Sequence, residues 1–150
     1  MNTNTLRVKK LTEYLFDVVK TINDKCEEIN VDMLSNDINN YSIDKIPTSS
    51  VVEKWITGLE IHRDVYSFRS RNTYSQDKIN NLENIGFFEI FEDIINSNNK
   101  EGILPDIDGI ESIECLNHGT MLVNDSKTAI FNIQIQIVYI NKSSDEIISI

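Results

Sequence analysis

No run of about 18 apolar residues occurs in the sequence, so no helix long enough to cross a hydrocarbon core is expected. Only two cysteines are present, Cys26 and Cys115, far apart and outside any CxxC or mixed His/Cys ligand spacing. That argues against a zinc site or redox motif and makes both ordinary thiols. Five glycines leave little room for a Walker-type phosphate loop, a dinucleotide fingerprint or a strained serine elbow, and none is found. The two histidines, His62 and His118, have no nucleophile or second base at a telling spacing. Basic side chains are also scarce, 14 against 24 acidic ones, giving a formal charge of -10. Residues 81–150 carry three basic and twelve acidic side chains. Such a balance opposes ordinary duplex binding, which rests on Lys and Arg replacing counterions at phosphates.

What is present is a globular composition, 40% hydrophobic and 25% charged over 150 residues, enough for one core and one domain, residues 1–150. Residues 1–5 are polar and lead straight into an amphipathic pattern, unlike a signal peptide, so assembly in the cytoplasm is expected. Leu11, Leu15, Val18, Val19 and Ile22 fall on one face of a helix, with Asn4 or Thr5 as the expected cap. Ile29, Val31 and Met33 alternate with polar residues as a strand does, and a polar stretch, residues 35–40, follows. Residues 41–46 form a short strand stopped by Pro47. Residues 51–57 and 59–74 are extended, with Thr57-Gly58 as the bend. Within the longer of these, Leu59, Ile61 and Val65 share one phase while Tyr66 and Phe68 hold the other, which predicts either a bulge or burial of both faces against a partner surface.

Ser75 is the expected cap of a second helix whose apolar face runs from Ile79 and Leu82 through Phe87, Phe88, Phe91, Ile94 and Ile95. Gly86 predicts a kink or a close approach within it, and the polar residues 96–102 its end. Strands at 110–117 and 121–123 follow, with turns at His118-Gly119 and Asn124-Asp125-Ser126. Ala129, Phe131, Ile133, Ile135, Ile137 and Tyr139 then alternate with Asn132, Gln134 and Gln136, the pattern of a half-buried strand. Residues 141–150 read as a tail without a pattern. The class is α+β: a single mixed, largely antiparallel sheet flanked by an N-terminal and a central helix.

No group of side chains makes a convincing catalytic set. His118 beside a turn glycine reads as solvent-facing, and Asp106, Asp108 and Gly109 lack the ligand spacing and closing glutamate of a calcium loop. Glu89, Glu92 and Asp93 read as a solvated helix face. The chain is therefore expected to be no enzyme and to need no metal or cofactor. The unusual cluster is basic and aromatic: Tyr66, Phe68, Arg69, Arg71 and Tyr74. Arg69 and Arg71 sit two apart and share one strand face, with Tyr66 and Phe68 on the other. Such arginines suit phosphate or the carboxylates of a neighbouring subunit, and in an acidic chain the subunit interface is favoured.

The succession Ile29-Asn30-Val31-Asp32-Met33, Tyr41-Ser42-Ile43-Asp44-Lys45-Ile46-Pro47, Tyr66-Ser67-Phe68-Arg69-Ser70-Arg71, Asn84-Ile85-Gly86-Phe87-Phe88 and Leu104-Pro105, with the closing strand 128–139, resembles a family of small proteins from tail operons of phages of Gram-positive hosts, often filed as minor capsid proteins. The likeness runs from about Ile29 to Tyr139, and the order of the segments carries it. It implies a tail terminator: a homo-oligomeric ring, usually a hexamer, that caps the tail tube, contacts the tube protein and in some particles the sheath and head connector, and passes DNA only as cargo. The place implied is a virion or a phage-derived tail particle. The resemblance carries over no catalytic residue. A head-completion or neck adaptor is the alternative within the class; a small-molecule enzyme and a nucleic-acid-binding module using Arg63, Arg69 and Arg71 are the others.

Overall fold

The computed structural model describes residues 3–24, 26, 28–32, 40–47, 51–73, 78–124 and 128–142. Two helices, α1 (Thr3–Ile22) and α2 (Lys78–Glu101), pack against a seven-stranded mixed sheet, an α+β fold with a single open sheet. The strands are β1 (Ile29–Val31), β2 (Asn40–Ile46), β3 (Val51–Lys54), β4 (Leu59–Thr73), β5 (Ile110–Cys115), β6 (Thr120–Asn124) and β7 (Thr128–Lys142).

The sheet is organised by one long ladder. β4 and β7 pair antiparallel over fifteen positions, from Leu59 with Lys142 to Thr73 with Thr128, without a register shift. β2 flanks the later part of β4 and β3 its beginning, while β5 and β6 lie end to end along the other side of β7. β1 is the exception to antiparallel pairing: it runs parallel to β2, Ile29 opposite Tyr41.

Strand alternation decides where the core lies. On β7 the odd positions from Ala129 to Tyr139 are all buried, and they share a face with Tyr66 and Phe68 of β4 and with Tyr41 and Ile43 of β2. Leu11, Leu15, Val18 and Val19 from α1, with Phe87, Phe88, Phe91 and Ile95 from α2, close over that same face as one cluster. Phe68 stacks on Phe91 with ring centroids 4.9 Å apart, and Tyr41 packs between Phe68 and Phe87 at 5.8 and 5.7 Å. Aromatic pairs at these separations add ~1 kcal/mol each beyond the area they bury.

Several expectations change. The phase switch in β4 is no bulge: Tyr66 and Phe68 face the helices, and Val65, on the opposite face, is covered within the subunit at 6% exposure. Both faces are covered there without a partner. α2 runs unbroken through Gly86, where an added Cβ would meet nothing within 4 Å among the described residues. The helix also extends past Asn96 to Glu101. It ends in a Schellman arrangement, with Gly102 at φ 75°, Ile103 N–H donating to Asn98 O at 2.8 Å and Gly102 N–H to Asn99 O at 3.4 Å. Asn4 and Thr5 lie inside the first turn of α1 rather than before it, and Asn141 and Lys142 continue β7 instead of opening a tail. Met33, Tyr74, Ser75, Asp125 and Ser126 lie outside the described residues, as do 35–39 and 143–150.

Candidate subunit interface

Because both helices lie on one side, the sheet's second face carries no helix among the described residues. It is built from the even positions of β2 and β7 and the odd positions of β4. Here the alternation that buried Phe68 turns Arg69 and Arg71 outward. Arg69 Nη2 lies 2.5 Å from Asp44 Oδ2 on β2, a position facing the same way. Arg71 Nη1 donates to Thr128 Oγ1 at 3.1 Å, Ser67 Oγ donates to Asn132 Oδ1, and Gln136 Nε2 donates to Glu114 Oε1 at 2.7 Å. The result is a mixed face on which these polar side chains are held in place across strands beside apolar positions such as Ile61, Val65 and Val138.

The five residues read as one cluster therefore separate. Arg69 and Arg71 belong to the helix-free face. Tyr66 and Phe68, 1% and 0% exposed, are core residues and present nothing to a neighbouring subunit. Tyr74 lies outside the described residues. Arg69 also finds its carboxylate within its own chain, in Asp44, where the sequence suggested a neighbour's.

A second polar cluster was invisible in the sequence. Asp64, on the helix face of β4 and 1% exposed, accepts a hydrogen bond from the Tyr139 hydroxyl at 3.1 Å. Arg7 Nε of α1 lies 3.9 Å and Lys45 Nζ 3.6 Å from the same carboxylate oxygen, and the Arg7 guanidinium sits 4.4 Å above the Tyr139 ring. His62 stacks on the other part of this assembly, 5.3 Å from Tyr139. Burial, helped by the Asp64 charge, pushes the Tyr139 hydroxyl up to about 12. The cluster ties the start of α1 to the sheet through residues more than fifty positions apart, for which sequence offers no signal. It borders a cleft of about 900 Å³ between α1, the loop 105–109 and the end of β7. Its two bases are each paired, Lys10 with Asp106 at 3.5 Å and Arg7 with Asp64, while Asp108 and Glu111 also line it.

His118 is fully exposed in the β5–β6 turn, with Nδ1 3.0 Å from Glu92 Oε2. That contact, and more weakly Glu89, raises its pKa above 6.5. The Cys115 thiol is pushed up to about 12 by burial and then by Glu92 and Glu114, which favours the protonated form. Among the described residues no three His, Cys, Asp or Glu side chains are grouped as metal ligands. No helix among the described residues is long and apolar enough to cross a membrane.

No family model matches the chain, and no curated protein is significantly similar to it.

Proposed function

We propose that the chain is a structural subunit of a phage or phage-derived tail, a terminator that forms a ring on the head-proximal end of the tail tube and stops its polymerisation. The observation that carries this reading is the one-sided sheet: both helices and the main core cluster lie on one face, and the other bears Arg69 and Arg71, held across strands, among apolar positions such as Val65. A ring subunit needs surface of this kind, since each copy must meet neighbours through defined patches while folding alone. The order of segments shared with tail-operon minor capsid proteins supports the same reading, and those segments fall on β1, β2, β4, α2, the loop after α2 and β7.

On this reading the partners are further copies of the chain, the tube protein, and a sheath or head connector where the particle has one. DNA passes through the ring without being held, an acidic subunit repelling its phosphates. The reading asks for no catalysis. Purified tubes incubated with labelled protein test it: the terminator binds at one end only, and labelling along the tube wall or no binding would refute it.

A further inference from the structure

The β5–β6 turn is tied to the two layers of the fold by different kinds of contact. The sheet holds it through backbone groups: Leu116 N–H donates to Gln134 O at 2.8 Å, and Gln134 N–H donates to Asn117 Oδ1 at 2.9 Å. α2 holds it at two points one helical turn apart. Gly119 lies so close to Phe88 that a Cβ there would overlap the ring, and His118 Nδ1 is 3.0 Å from Glu92 Oε2. Of these contacts only the last carries charge.

The two partners sit in unlike surroundings. The Glu92 side chain is 19% exposed and the imidazole 89%. Among the described residues His118 is the only hydrogen-bond or ion-pair partner of Glu92. A carboxylate largely withdrawn from water needs an opposite charge or good donors to stay there. Here that charge comes from the turn, and the surroundings supply no other. Glu89 on the same helix is an acid, and so is Glu114 on β5, which is engaged by Gln136. Burial keeps the Cys115 thiol beside Glu92 in its neutral form. β6 and the facing stretch of β7, residues 128–136, contain no charged residue.

We infer that His118 and Glu92 form a pH-operated clasp, which fixes the β5–β6 turn on α2 while the imidazole is protonated and lets it go when the imidazole is neutral. Once the proton leaves, Glu92 keeps at most a neutral donor, and its shielded charge faces Glu89 without a counter-ion. The carboxylate regains its hydration by moving out from the turn, and the packing of Gly119 on Phe88 loosens with it. The backbone ties to β7 do not depend on that proton, so the hairpin stays in the sheet while its turn moves. Leu116 and Met121, each 44% exposed, flank the turn, and Leu122 follows at 58%. The clasp therefore sets the pose of an apolar surface, fixed in acid and released towards alkaline pH. The Glu92 hydrogen bond and charge, and more weakly Glu89, raise the imidazole above 6.5, which extends the closed range upward from there. This device belongs to the single subunit and does not depend on the terminator reading.

Proton NMR of the full chain, titrated from about pH 5 to about pH 9, tests it. The cross-relaxation between Gly119 Hα and the Phe88 ring should be strong at the acid end and weaken severalfold at the alkaline end, with the same midpoint as the imidazole. Glu92→Gln removes the charge that requires a counter-ion, so the imidazole midpoint falls towards 6.5 and the contact of Gly119 with Phe88 no longer follows pH. His118→Lys keeps a positive charge throughout and should hold the contact at both ends, whereas His118→Ala should show it weakened at both. The exposed position of His118 leaves the fold intact in either variant. A contact that stays constant in wild type while the imidazole titrates, or a pH dependence that survives Glu92→Gln, overturns the inference.

Discussion

The guanidinium of Arg69 and the carboxylate of Asp44, 2.5 Å apart on adjacent strands, neutralise one another within a single chain. Arg69 therefore serves the subunit as well as any contact it makes. Arg69→Glu would place two carboxylates in one site and lower stability, whereas Arg71→Glu loses a hydrogen bond to Thr128 and should leave the fold intact. Thermal melts should separate the two variants, and sedimentation should show Arg71→Glu weakening assembly without unfolding. Unchanged sedimentation of Arg71→Glu would remove that side chain from the interface.

Phe68 behaves differently from its neighbour. It stacks on Phe91 and Tyr41 in the core, so Phe68→Ala should cost about 4 kcal/mol of subunit stability, as large aromatic truncations do. A urea midpoint close to wild type would contradict its placement.

How much of this is legible beforehand depends on the range of the interaction. The alternation from Ala129 to Tyr139 and the spacing of Leu11, Leu15, Val18 and Val19 are local, and both elements follow from them. The phases of Phe68 and Arg69 are local too, and their opposite facing is readable. Which strand face the helices cover is not local. Tyr66 and Phe68 thus read as interface aromatics until Phe87 and Phe91, arriving from α2, are seen to cover them. Asp64 is an unremarked acid in the sequence because Arg7 and Tyr139 meet it only through the fold. The parallel pairing of β1 has no local signature. Trp55 and Ile56 did offer one, two large apolar residues beside Thr57-Gly58, which marks a turn.

Asp64 supplies a second stability test. A buried carboxylate with Arg7, Lys45 and Tyr139 around it leaves unbalanced charge when removed, and Asp64→Ala should cost roughly 3 kcal/mol. Asp64→Asn, which still accepts from Tyr139, should cost less. Equal midpoints for Asp64→Ala and wild type in urea would show that the cluster does not anchor α1.

Gly119 and Gly109 are required for separate reasons. A Cβ at Gly119 would overlap the Phe88 ring, and one at Gly109 would overlap the Ile140 carbonyl in a backbone already at φ 76°. Each alanine substitution should lower stability by about 1–3 kcal/mol, measured by thermal or urea unfolding. Neutral substitutions would place these loops elsewhere.

The pH response has two windows. His118, its pKa raised by the Glu92 hydrogen bond and charge, adds stability fully present below 6.5 and lost as pH rises through its folded value. An NMR titration should show that raised value and its fall in Glu92→Gln. At the alkaline end, burial first raises Tyr41 and Tyr139 from 10.0 to about 12, so stability should decline from pH 10 upward. Phenolate absorbance should then rise together with unfolding, and ionisation well before unfolding would contradict their burial.

The most direct test of the central claim is tail length. Electron microscopy of particles made with and without this chain should show tubes of uncontrolled length in its absence and uniform length when it is restored. Normal lengths without it would contradict the terminator reading.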